Sequence, residues 1–165
     1  MTLDAYLQTA LDAAQAAGGF LRANFGKPLH VDENLAHDIK LELDVQCQKL
    51  ITRALATVFP SIPVLGEEGI DAASEKAVAR WVVDPIDGTV NFFYNIPHFA
   101  VSIALRKAGQ ILIGVIYDPM RDELWTVQRG SPALLNGHPI AVSPRPTLSE
   151  ATISVGVSKN IDTIN

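Results

Sequence analysis

The chain has 165 residues, 48% apolar and 19% charged, which is enough buried surface for one compact core and argues against wholesale disorder. Thirteen Lys and Arg against 18 Asp and Glu leave a net charge of -5, and the basic residues are scattered, so a nucleic-acid partner is not expected. A single cysteine, Cys47, rules out an internal disulfide framework and a cysteine-based zinc module.

At the N-terminus Asp4 precedes the first basic residue, Arg22, which is the wrong charge order for a secretory signal; a cytoplasmic protein is expected. From Asp4 to about Asn24, Leu7, Leu11, Ala14, Ala17 and Leu21 recur at spacings of three and four, predicting an amphipathic helix. Gly18 and Gly19 inside it cost roughly 1 kcal/mol each relative to alanine, so a kink or a close helix contact is expected there. Gly26, Lys27 and Pro28 end that segment. A second helix opens at Asp38, carries Val45, Leu50, Ile51, Leu55 and Val58, and stops before Pro60, so that two helices precede any strand.

Beyond Ile62 the texture changes to short β-type runs at Pro63 to Leu65, Trp81 to Val83, Phe99 to Leu105, Ile111 to Tyr117 and Glu123 to Val127. Turn residues around Gly109 and from Asp118 to Asp122 join the later runs into antiparallel hairpins. Asn136-Gly137 signals another tight turn before a last strand at Ile140 to Val142. The longest apolar run is far short of the roughly 18 residues that span a bilayer, so no membrane partner is expected. The fold class is α+β, an antiparallel sheet with two N-terminal helices packed on it.

Candidate chemistry concentrates where the strand at Trp81 to Val83 runs into Asp84-Pro85-Ile86-Asp87-Gly88-Thr89. Two carboxylates stand three residues apart, with proline fixing the backbone between them and glycine permitting a sharp redirection. Gly88-Thr89 falls where the chain enters a helical turn, whose backbone amides suit an anion such as phosphate. Gly66-Glu67-Glu68-Gly69 follows another apolar strand. Glu67, Asp84 and Asp87 together make an all-oxygen set suited to a hard cation, Mg2+ before Ca2+ beside a phosphate.

Glu67-Glu68 after a glycine, and Asp84-Pro85-Ile86-Asp87-Gly88-Thr89 followed by Val90-Asn91-Phe92, resemble the first two metal-binding motifs of the inositol monophosphatase family. Gly114 to Pro119 and Leu135-Asn136-Gly137 resemble further stretches of it. The resemblance implies the N-terminal half of a layered α/β sandwich and Mg2+-dependent hydrolysis of a small phosphorylated polyol such as inositol monophosphate. It implies Glu67, Asp84, the Ile86 carbonyl and Asp87 as Mg2+ ligands, Glu67 and Thr89 as the catalytic pair acting on water, and Asp87, Gly88 and Thr89 at the phosphate. Asp44 matches a supporting carboxylate of the second helix, although Lys40-Leu41 replaces the Val-Thr pair common in the family. A homodimer is the assembly the resemblance implies.

The family's second half carries a Trp-Asp motif, whereas here Trp81 precedes Val82 and Trp125 precedes Thr126. Residues 1–165 are therefore expected to form the N-terminal α+β domain of a longer fold. Alternatives are action on fructose 1,6-bisphosphate or a nucleotide 3'-phosphate, and a catalytically incomplete interaction module. Glu68 is expected as a neighbour of Glu67 rather than a ligand, His98 as a partly buried loop histidine, and Phe92, Phe93, Tyr94 and Phe99 as core. Neither a serine-hydrolase elbow nor a nucleotide-binding glycine loop is present.

Overall fold

The computed structural model describes residues 2–28, 31–34, 39–67, 74 and 76–154, with strand backbone alone at 31–34 and 39–41. Glu68, His30, His37, Asp38 and Ser158 lie outside the described residues. Helix α1 (Leu3–Asn24) runs unbroken through both glycines and buries Ala10, Ala13, Ala14, Ala17, Gly18 and Leu21. This stripe of small residues lets the helix axis approach the sheet closely. A Cβ on Gly18 would land on the Tyr117 ring, so the close contact expected there is made to a strand rather than to another helix.

Strands β1 (Val31–Asn34) and β2 (Ile39–Leu41) pair antiparallel before helix α2 (Glu42–Val58) begins. The expected order of two helices before any strand is thus corrected, and α2 starts four residues later than the apolar spacing predicts. Runs this short carry too few positions for a period-two signal to register. Helix α2 buries Asp44, Cys47, Ile51 and Leu55, at spacings of three and four, against the sheet.

The main sheet has seven strands in sequence order: β3 (Val64–Gly66), β4 (Ala79–Asp87), β5 (Ala100–Lys107), β6 (Gln110–Asp118), β7 (Glu123–Gln128), β8 (Leu134–Leu135) and β9 (His138–Pro139). Helix α3 (Thr89–Phe93) leaves the end of β4. All neighbours pair antiparallel except β3 and β4, which run parallel. The Asn136-Gly137 turn forms as expected, both residues at positive φ (49° and 80°). The last strand falls at His138–Pro139 rather than Ile140 to Val142; the Ile140 amide still follows the register, donating to the Ala133 carbonyl at 2.9 Å, and the chain has no regular structure from there to 146.

Helices α1 and α2 pack on each other and together cover one face of the sheet, α1 over β5 and β6 and α2 over β4. The core between them includes Leu21, Ile51, Leu55, Trp81, Ile103, Leu105 and Ile113, all fully buried. Period-two alternation along β5 and β6 sends the other residues to the opposite face. There the register aligns Val82, Ala104, Gly114 and Val127 in one cross-strand row, and Asp84, Ser102, Ile116 and Trp125 in the next. No described helix covers this second face, and no described helix is long and apolar enough to cross a membrane.

Candidate active site

The parallel pairing of β3 and β4 explains why two distant segments meet. Register runs Val64 to Trp81, Leu65 to Val82 and Gly66 to Val83, and the Glu67 amide continues it by donating to the Val83 carbonyl at 3.2 Å. Both strands therefore end on the same edge, and Glu67 arrives beside Asp84. An antiparallel pairing would have put the two acids at opposite ends of the sheet.

Asp84 and Asp87 raise a second question, since residues three apart on a regular strand point to opposite faces. The register answers it. Asp84 pairs with Ser102 and Asp87 with Ala100, so three steps on β4 oppose two on β5 and one extra residue is accommodated in a bulge. Pro85 and Ile86 both turn inward and are buried, and both aspartates face outward. Proline suits the bulge because it has no amide to leave unpaired.

Gly88 then takes a left-handed conformation, φ 97°, which redirects the chain into α3. A Cβ at Gly88 would come within 3.0 Å of the His98 carbonyl, so space as well as torsion requires glycine. The Thr89 hydroxyl donates back to the Ile86 carbonyl at 2.9 Å, closing the turn, and Phe92 anchors α3 in an aromatic cluster with Phe25 and Phe99. The amides at the start of α3 have no intrahelical acceptor, and the residues that carry them line a cleft. That cleft, about 250 Å3, is lined by Glu67, Asp84, Ile86, Asp87, Gly88, Thr89, Val90 and Asn91.

Burial first, then the negative charges of Glu67 and Asp87 and a side-chain hydrogen bond with Glu67, push the Asp84 carboxyl up to about 7, while the Ile86 amide, donating at 3.1 Å, opposes the rise. Helix α2 closes the site from behind. Asp44 is 2% exposed there, and the Cys47 thiol donates to the Pro85 carbonyl at 3.6 Å. Burial, then Asp44, then Asp84 push that thiol up to about 12, so Cys47 stays protonated and packs as an apolar group.

The structure thus gathers Glu67, Asp84, Ile86, Asp87, Gly88 and Thr89 into one cleft and sets Asp44 in the wall behind it. The donor chemistry suits a hard divalent cation, being all oxygen, and the mutual repulsion of the three carboxylates is what such a charge would relieve. Among the described residues no three Asp, Glu, His or Cys side chains close into a cage on their own, so the set is open. His98 is exposed rather than partly buried, because its carbonyl, taken by the Asn91 amide at 2.7 Å, holds the backbone while the ring is left outside. Of the four aromatics, Phe92 and Phe99 are core as expected, whereas Tyr94 is exposed. Asn91 went unassigned in the sequence, although it stands within the most distinctive motif. A larger hollow of about 550 Å3, including Arg121 and Trp125, shares Asp87, Gly88 and Asn91 with the cleft.

A profile of the inositol monophosphatase family matches residues 2–165. The chain belongs to the inositol monophosphatase family. It is 37% identical over 158 residues to an inositol-1-monophosphatase of Rhizobium meliloti, covering 94% of this chain and 59% of that protein. It is 39% identical over 154 residues to a Nus factor SuhB of Pseudomonas aeruginosa, covering 91% and 57%. Among solved structures, the extragenic suppressor protein suhB of Bartonella henselae superposes with a TM-score of 0.81 at 39% identity, over 86% of this chain and 55% of that one. An inositol monophosphatase of Thermotoga maritima gives 0.78 at 32%, over 84% and 54%. The chain spans less than two thirds of the length of these family members, and its mixed sheet with helices matches their α+β architecture.

Proposed function

We propose that this chain supplies the metal- and phosphate-binding side of a Mg2+-dependent phosphatase that hydrolyses a small phosphorylated polyol such as inositol monophosphate. The observation that carries this reading is the meeting of Glu67, Asp84 and Asp87 on one outward face beside the first amides of α3. When bound, Mg2+ neutralises charge on the phosphate and makes water more acidic. In this reading Glu67, Asp84, the Ile86 carbonyl and Asp87 hold it, and the Ile86 oxygen keeps a second lone pair beyond the one taken by Thr89.

The Thr89 hydroxyl has its proton committed to Ile86, so its oxygen is left to accept from a water and orient it. Glu67, exposed at the end of β3, takes one proton as the water oxygen bonds to phosphorus; the ester P–O bond breaks, the leaving oxygen takes a proton from solvent water, and Glu67 returns its proton to solvent, so that alcohol and phosphate are the products. The Gly88 and Thr89 amides face the phosphate oxygens, where negative charge grows. Asp44 supports from α2.

The open donor set favours a second reading, a catalytically incomplete module that acts through another chain. One assay separates the two. Phosphate release from inositol 1-phosphate, with fructose 1,6-bisphosphate and a nucleoside 3'-phosphate as comparison substrates, is expected to require Mg2+ and to disappear in Glu67→Gln. No release above Glu67→Gln on any substrate would leave the module reading for this polypeptide.

A further inference from the structure

Helix α2 touches both acid-bearing strand ends with adjacent residues. Cys47 meets the Pro85 carbonyl inside the β4 bulge, between Asp84 and Asp87. Gln48 meets the end of β3: a Cβ placed on Gly66 would fall on the Gln48 side-chain amide, touching its carbon, oxygen and nitrogen. Gly66 is buried, is the last residue of β3 and immediately precedes Glu67. The Gln48 amide thus occupies the space that a side chain at Gly66 would need, so a methyl group there has to displace it. The Glu67 amide donates to the Val83 carbonyl on one side, and the Gln48 side chain lies against the preceding residue on the other.

We propose that Gln48 is a positioning residue for Glu67: packed on Gly66, it fixes where β3 ends, and with Cys47 one turn of α2 sets the spacing between Glu67 and the Asp84–Asp87 bulge. Asp44, one helical turn before Gln48, is buried on the same helix with Cys47. A side chain that holds a ligand through the backbone acts on ligand geometry without touching the ion or the substrate.

The test compares Gln48→Ala, Gly66→Ala and the double variant by two readouts, hydrogen exchange at the Glu67 amide and the heat of Mg2+ binding. Gln48→Ala is expected to speed exchange at Glu67 by about tenfold while amides in the centre of β5 and β6 keep their rates. It is expected to weaken Mg2+ binding by about tenfold with the thermal midpoint nearly unchanged. Gly66→Ala is expected to do more harm than Gln48→Ala, and the double variant less than Gly66→Ala, because removing Gln48 makes room for the new methyl group. The metal readout rests on the function proposed above, the exchange readout does not: absence of Mg2+ heat in the unmodified chain would count against that function, and the exchange rates would still decide the role of Gln48. Unchanged exchange at Glu67 in Gln48→Ala would overturn the proposal, as would a double variant no better than Gly66→Ala. Should Gly66→Ala fail to fold, Gln48→Ala alone decides.

Discussion

Asp84 is half withdrawn from water and crowded by Glu67 and Asp87, which pushes its carboxyl up from the ordinary 3.8 to about 7. A carboxyl whose pKa is raised on folding stabilises the fold fully below the unfolded value, and the contribution is lost as pH climbs from about 4 through about 7. In chelator, the thermal midpoint is expected to fall between pH 5 and pH 8. The loss is on the order of 2 kcal/mol, less than full linkage gives because the group is partly solvated and screened. Asp84→Asn should flatten the slope, and Mg2+ at pH 8 should recover the midpoint by binding the ionised form. A midpoint that rises with pH in chelator would contradict the electrostatics assigned to this cleft. The individual acids were legible in the sequence because Asp-Pro-Ile-Asp-Gly-Thr combines turn-forming residues with carboxylates after an apolar strand. Gln48 was not, since its role lies in a packing contact with Gly66 that no local pattern encodes.

Elements with a strong period were legible, and pairings between them were not. Helix α1 and strands β5 to β7 follow their apolar spacing within a few residues. The parallel register of β3 with β4 and the bulge at Pro85-Ile86 are tertiary facts, and they turn three scattered acids into one face. The hairpin of β1 and β2 is too short to announce itself. Helix α3 has only five residues, too few to be stable alone, and depends on Phe92, whose ring lies 4.8 Å from Phe99 and 5.6 Å from Phe25 between centroids. Phe92→Ala is expected to cost about 3–5 kcal/mol in a denaturant titration and to weaken Mg2+ binding by loosening the β4–α3 turn. Phe92→Leu, which keeps most of the volume, should restore much of both. Equal metal affinity in Phe92→Ala and the parent would show that the turn does not need the helix.

At the scale of the molecule, one face of the sheet is buried under α1 and α2 and the other is apolar and uncovered among the described residues. Val82, 36% exposed, and Val127, 37%, share one cross-strand row, and Ile116, 45%, stands in the next. An exposed apolar surface of this kind binds a hydrophobic dye in the native state. Anilinonaphthalene sulfonate fluorescence is expected with the folded chain and should drop in Ile116→Lys at an unchanged thermal midpoint; no native-state dye signal would mean the face is covered. Asp84 lies in the same cross-strand row as Ser102 and Ile116, so the candidate site opens at the margin of this face.

In the proposed function Glu67, Asp84 and Asp87, at the ends of two parallel strands, hold one divalent ion. Calorimetric titration with Mg2+ at pH 8 tests it most directly: a saturable heat is expected, lost in both Asp84→Asn and Asp87→Asn while the thermal midpoints in chelator show that each variant is folded. A parent chain that gives no heat, or variants that bind as tightly as the parent, would contradict it.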